Sequence, residues 1–323
     1  MKPPSGASDS EARAVMIEIP LIGAGGEPVD FRATINSHGV ASLPPAQPDA
    51  DLASRLRITL RLDDGAVRTV DLFEASPGVA GVDIISVAAT DAHQVERTIR
   101  HILRLDQDLS GFYALTAIDP LLDWVNVGFG RMMRCQTVFE DVIKTLLTTN
   151  CAWSATIRMN ERIIGELGER DPGYEVEAPF GRAFPLPATM AKRDEAFYRE
   201  VIRAGYRAPH IVKLANRVAS GDLELEALGR VDRAALADDD LEKELLALPG
   251  IGPYAAAHIM HMLGRSSRLV FDSWTRPAYA RIAGVESIND KEIVARFARY
   301  EEHAGLAYWM VVTRPWFEEH GST

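Results

Sequence analysis

The hydrophobic pattern changes period partway along the chain, and that change constrains the fold more than any single residue. Up to about residue 89 the apolar positions alternate in short runs. Leu56–Leu62 (LRITLRL) and Val67–Phe73 (VRTVDLF) flank Asp63-Asp64-Gly65, the pattern of a β-hairpin. Val15–Ile19, Phe31–Ile35 and Ile84–Val87 read as further strands, with Asn36-Ser37-His38-Gly39 as a turn. From Asp91 to Leu105 the spacing is helical, with Val95, Ile99 and Ile102 on one face and Thr90 or Asp91 as the cap. After Gly130 the helical period persists in Phe139–Leu147, Thr156–Leu167, Glu195–Ala204, His210–Ala219, Asp240–Leu246, Tyr254–Leu263 and Lys291–Val312. The pattern predicts an α+β protein: a small antiparallel β domain with a helix, then an all-α region. The 323 residues suit two domains at ~150 residues each. The expected divisions are a disordered tail over 1–14, a β/α domain over 15–130 and a helical domain over 131–323.

Composition removes several classes of function. Two cysteines, Cys135 and Cys151, cannot make a four-thiolate zinc or iron–sulfur site, nor a disulfide framework. His210 and His261 have no metal-site spacing, so no metal is expected. The first residues, MKPPSGASDSEAR, lack the apolar stretch of a signal peptide. No run approaches the ~18 apolar residues of a membrane span. These features predict a cytoplasmic protein that engages no membrane. The formal net charge of −11 argues against a generic polyanion binder. The charge is uneven, however. Residues 1–130 carry 10 basic and 18 acidic residues, and residues 131–323 carry 25 and 28. Arg199, Arg203, Arg207, Lys213 and Arg217 make a basic stretch opposed only by Glu200, and Arg131 and Arg134 a second basic spot.

The most specific local signal is Leu248-Pro249-Gly250-Ile251-Gly252-Pro253, set between two helical segments. Glycines at i and i+2 permit a tight turn that exposes backbone N–H groups at the start of the next helix. Such amides, with the helix dipole, suit an anion such as a DNA phosphate. A glycine turn in an ordinary helical hairpin would look similar. Eighteen residues after Tyr254 stands Asp272, in Val270-Phe271-Asp272-Ser273-Trp274. An acid there is either a helix cap or a catalytic carboxylate beside the anion site.

This pairing of hairpin and aspartate resembles the helix-hairpin-helix DNA glycosylase superfamily. Further segments resemble its alkylpurine (3-methyladenine DNA glycosylase II) and 8-oxoguanine branches: Phe139-Glu140-Asp141-Val142 through Thr148-Thr149-Asn150, Phe184-Pro185-Leu186-Pro187, Gly205-Tyr206-Arg207-Ala208 and His303-Ala304-Gly305-Leu306-Ala307-Tyr308-Trp309. The ordered match spans roughly residues 15–316.

The resemblance implies a base-excision-repair enzyme that flips a damaged nucleotide out of duplex DNA and breaks its N-glycosidic bond. Asp272 would stabilise the oxocarbenium-like sugar and orient water. Gly250, Ile251 and Gly252 would hold phosphate, with Arg207 and Arg276 as further DNA contacts. Asn150 resembles the wedge that fills the emptied stack. Tyr254, His258 and Trp274 would line the base pocket, with Trp153 and Trp309 as further aromatic candidates. Members that also cleave the strand carry a lysine where this chain has Tyr254, which cannot form a Schiff base. A monofunctional enzyme acting on an alkylated purine is therefore implied, acting as a monomer on damaged double-stranded DNA. It would need no cofactor, apart from a monovalent cation at the hairpin backbone. Three alternatives stay open: a glycosylase/lyase drawing on Lys144 or Lys213, a damaged-DNA-binding protein without turnover, and a helical protein with no DNA role, for which the net charge of −11 is the best argument.

Overall fold

The computed structural model describes residues 16–49, 55–85 and 92–320. Val15, Thr90 and Asp91, and the expected tail, lie outside the described residues. Five strands, β1 (Met16–Pro20), β2 (Ala46–Pro48), β3 (Arg55–Arg61), β4 (Val67–Ser76) and β5 (Val79–Ile84), form one antiparallel sheet in the order β1-β5-β4-β3-β2. The β3–β4 hairpin pairs Leu56 with Leu72 and Ile58 with Val70, so one pleat face presents a continuous apolar surface. Helix α2 (Ala92–Ile102) lays Val95, Ile99 and Ile102 on that face, as its spacing predicts.

Two expectations in this domain fail. Phe31–Ile35 is a helix, α1, and not a strand. Asp30 caps it by accepting the Ala33 N–H at 2.6 Å, and Phe31, Thr34 and Ile35 are buried at i, i+3 and i+4. The alternation of FRATI misleads because Ala33 is buried as well. The last strand is Val79–Ile84, earlier than Ile84–Val87, and Ser86 and Val87 fall outside the described residues.

The helical remainder builds two cores. Helices α4 (Val138–Thr148), α5 (Trp153–Leu167), α8 (Ala208–Ala219), α10 (Asp238–Leu246) and α11 (Pro253–Met262) enclose one, joined by the short α6 (Pro187–Met190), α7 (Glu195–Glu200) and α9 (Leu225–Leu228). The other gathers α3 (Ser110–Thr116), α12 (Thr275–Ile282), α13 (Asp290–Phe297) and α14 (Ala304–His320). The expected continuous helix over Lys291–Val312 is broken by a 3₁₀ segment, 298–303, in which Glu301 has φ +52°. The break lets Gly305 press on the chain after α11: its N–H donates to the Ser266 carbonyl at 2.7 Å, and a Cβ there would lie 2.0 Å from the Arg268 oxygen.

The cores are stapled by buried arginines. Arg131 pairs with Glu27 and donates to the carbonyls of Arg104 and Gln107. Arg134 pairs with Asp106. The basic spot expected at Arg131 and Arg134 is thus internal, because both guanidiniums are buried, Arg131 against buried Glu27 and Arg134 beneath an exposed Asp106. Arg104, itself buried with φ +56°, donates to the His261 and Met262 carbonyls at the C-terminus of α11. Carbonyls at a helix end lack the amide one turn on that serves interior ones, so a donor from outside the helix completes them.

Candidate active site

Helices α10 and α11 flank the turn that the glycine spacing predicts. Gly250 has φ +79°, and a Cβ would fall 2.8 Å from His210 and 2.9 Å from Leu146. No other residue fits both the conformation and the space. Ile251 anchors the turn in the core. Gly252 faces open space, where a Cβ would meet nothing within 4 Å. The Gly252, Tyr254 and Ala255 N–H groups make no hydrogen bond among the described residues, and Pro253 has none to offer. The start of α11 is therefore a bare row of amides at a positive helix end, open to an anion.

Beside it lies a cleft of about 1190 Å³. That exceeds the 300–1,000 Å³ or so typical of drug-sized ligands. Its walls come from the 35–43 segment, α4, the Thr149–Trp153 turn, α11, the 271–276 segment and α14. Asp272, Asn150, Tyr254, His258, Trp274, Gly250, Gly252 and Arg276 all line it.

Asp272 fills the capping role with one oxygen and leaves the other unengaged. Its Oδ1 accepts the Trp274 N–H at 2.8 Å and the Thr275 N–H at 2.6 Å, while its own N–H donates to Thr275 Oγ1 at 3.0 Å. This reciprocal box caps α12 and fixes the carboxylate plane. Oδ2 takes no hydrogen bond among the described residues and is not enclosed. One oxygen is structural and the other faces the cleft.

Aromatic rings line the same cleft. Tyr254 and His258 stack at 6.0 Å and 20°, as their four-residue spacing requires. Trp309 sits 6.1 Å from both His258 and Trp274. Burial, and secondarily His261, pushes the His258 pKa down to about 3, so its imidazole is neutral. Burial raises the Tyr254 phenol, with nearby Asp272 adding to the rise against the Thr148 hydrogen bond.

The wedge candidate Asn150 is exposed, with φ +47°, at the end of α4. Its Nδ2 donates to the Tyr206 hydroxyl at 3.1 Å, and Thr149 Oγ1 shares that hydroxyl at 2.8 Å. Arg207 does not reach outward. It is buried, donates to the Thr149 and Ala204 carbonyls, and lies 4.6 Å over the Tyr206 ring. It therefore holds the Asn150 turn. Arg276 makes a two-pronged pair with Asp290, 2.8 Å at each prong, and stacks 5.2 Å over Phe271.

Two cleft residues escape sequence reasoning, and a third enters it only as an alternative nucleophile. His38 follows α1, which alternation hides, and reaches the cleft from the β domain. Its sequence signal is Asp30 capping Phe31–Ile35. Asp141, on α4, is the second, and Lys144, one turn further along, is the third. Both are 4% exposed, and Lys144 pairs with Glu140 at 2.8 Å. Burial would lower the Lys144 pKa, but Cys135 and Glu140 outweigh it and raise it. Lys213 does not line the cleft. Among the described residues, no three His, Cys, Asp or Glu side chains are placed to hold a metal.

No protein-family model matches the chain. The Bacillus subtilis (strain 168) protein YfjP, provisionally named a DNA-3-methyladenine glycosylase, is 22% identical over 277 residues, covering 83% of this chain and 91% of YfjP. The solved 3-methyladenine DNA glycosylase from Archaeoglobus fulgidus is similar with a TM-score of 0.68 at 20% identity, over 93% of this chain and 99% of that one. The apo 8-oxoguanine glycosylase/lyase of Clostridium acetobutylicum is similar with a TM-score of 0.60 at 17% identity, over 83% and 98%. The chain carries the fold of these DNA glycosylases, and the three are named for the two branches that its sequence resembles.

Proposed function

We propose that this protein is a monofunctional DNA glycosylase that excises an alkylated purine from duplex DNA. The observation that carries the proposal is the free Asp272 Oδ2 in an aromatic cleft beside the bare amides of α11. The amides receive a phosphate of the strand, and the exposed Asn150 turn fills the gap left by the flipped nucleotide. Tyr254, Trp274 and Trp309 offer π faces to a base, which favours one that is already cationic. The C1′–N bond then breaks with its electron pair passing to the positive ring, so the base leaves neutral. Asp272 Oδ2 stabilises the sugar cation, orients water toward C1′ and takes its proton as the new C–O bond forms. This chemistry requires no resident metal.

Neutral His258 supports the choice of a cationic base, because an imidazole with a pKa of about 3 cannot protonate a neutral leaving group near pH 7. Tyr254 at the start of α11 and the ion-paired ammonium of Lys144 both argue against a Schiff base.

The test is mass spectrometry of free bases released from methylated duplex DNA. Release of methylpurines with intact abasic strands is expected, and borohydride should trap no covalent adduct. A panel of lesions from which nothing is released would overturn the proposal. Lesion binding without release would favour a non-catalytic damage-binding protein.

A further inference from the structure

The cleft has one wall that the glycosylase chemistry above does not use. His38, the residue before Gly39 in the β domain, stands edge-to-face with His258, their ring centroids 5.4 Å apart at 64°. Its loop is held rigidly. The Ser37 carbonyl accepts the Trp309 indole N–H at 2.8 Å, and Ser37 Oγ accepts the Met133 N–H at 3.0 Å. Ser37 Oγ also lies 3.0 Å from His38 Nδ1. The Ser37 hydroxyl has no other acceptor among the described residues, so its own proton goes to Nδ1. His38 is thereby the Nε2–H tautomer, a donor at its free end.

Nothing inside the protein uses that donor. Among the described residues His38 Nε2 has no hydrogen-bond partner, and it is not sealed off as an enclosed polar atom. His258 is complementary: its Nδ1 is enclosed without a partner, while its Nε2 is open to the cleft. An enclosed lone pair is a lesser fault than an enclosed orphan N–H, so His258 also presents Nε2–H outward. Burial, followed by His258 and His261, holds the His38 pKa well below its usual value, and His258 is lowered likewise. Both rings are therefore neutral, with one fixed donor each and no charge to repel a cationic base.

Purines differ in what they offer such donors. A guanine-type base carries acceptors at O6 and, when unmodified, N7. An adenine-type base places an N6 amino donor where guanine has O6. A donor-only wall faces a donor in the second case, and a site built to make a hydrogen bond rejects a partner that cannot complete it.

We infer that His38, supplied by the β domain, is a specificity-determining residue of the base pocket, and that with His258 it favours alkylated purines bearing an oxygen at C6 over those bearing an amino group. The inference rests on the glycosylase reading and sharpens its substrate class.

The test compares kcat/KM for release of 3-methylguanine and 3-methyladenine from dimethyl-sulfate-treated duplex DNA, two bases alkylated at the same ring nitrogen. Wild type is set against His38→Met, which removes the donor at similar volume, and His38→Gln, which keeps an amide donor. Dividing one enzyme's guanine-to-adenine ratio by another's cancels the intrinsic difference in leaving ability. Loss of one such hydrogen bond should lower the ratio about tenfold in His38→Met, with His38→Gln in between. An unchanged ratio in His38→Met, with methylpurines still released, would overturn the role of His38 alone. A wild-type ratio below that of His38→Met would reverse the assigned preference. If wild type releases no methylated base, the glycosylase reading fails and takes this inference with it.

Discussion

The cleft has two walls of different origin. The hairpin wall is made by short stretches of neighbouring sequence: Gly250 to Tyr254, and Asp272 to Thr275. The second satisfies its own backbone, and the first leaves its amides bare. Gly250 occupies a conformation and space closed to other residues, and Asp272 caps the helix it precedes. The opposite wall has no such local unit. His38, Lys144 and Trp309 are 106 and 165 residues apart in sequence and meet only because the 37–43 segment lies against both α4 and α14, its Leu43 and Ser37 carbonyls receiving Lys144 and Trp309. The chemistry we propose falls on the first wall, which a local motif can encode. The second shapes the pocket and depends on the whole fold.

That contrast can be probed at several points. The largest effect is expected on the hairpin wall. Asp272→Asn keeps an Oδ1 acceptor for the α12 amides, so the melting temperature should change little, yet the single-turnover rate of base release should fall about a thousandfold. A mutant that instead unfolds would show that the residue is chiefly a cap.

Acid should act next, on histidines buried behind and beside the two walls. Burial lowers the folded pKa of His101 to about 4, of His258 to about 3 and of His261 to about 4, the first with Arg134 and the others with charged or basic neighbours adding to it. The unfolded chain then binds more protons below the ordinary histidine pKa near 6.5, so this stability is present at neutral pH and lost as pH falls. Asp141 opposes the trend, because burial raises its pKa to about 6 and its contribution grows as pH falls through that value. Between pH 6 and 5, three histidines losing about 1.2 kcal/mol each against about 1 kcal/mol returned leave a net loss near 3 kcal/mol. Urea unfolding at the two pH values measures it, and a flat profile would mean the histidines are hydrated.

The two hairpin glycines should separate cleanly. Gly250→Ala forces a left-handed alanine against His210 and Leu146 and should cost about 2 kcal/mol in chemical denaturation. Gly252→Ala meets no protein atom, so stability should hold. Its methyl stands on the amide face, and affinity for undamaged duplex should drop about fivefold by fluorescence anisotropy, as for losing one backbone–phosphate hydrogen bond. Equal effects at both positions would erase the distinction between a residue that shapes the turn and one that leaves it open.

Legibility in sequence followed the same division. The hairpin, the Asp272 position and the β3–β4 pair were readable because a turn, a cap and an alternating strand impose demands on consecutive residues. Helix α1 was not, because full burial of Ala33 made a helix look alternating. The helix break at Glu301 was hidden because it answers to Gly305 packing on Ser266 and Arg268, contacts far away in sequence. Arg207 and Arg131 were legible as charges but not as buried struts, since their acceptors are carbonyls and acids that only the folded chain brings near.

The guanidinium of Arg104 bears on how the molecule can be taken apart. It leaves the end of α2, which is embedded in the sheet core, and caps the helix that carries the hairpin amides. Sheet and hairpin are thereby coupled into one folding unit. A fragment beginning at residue 131 would strip the end of α11 of this donor, and the intact chain should melt in a single calorimetric transition. The most acidic third of the sequence, the part least suited to touch DNA, is the part that completes the end of the helix carrying the bare amides.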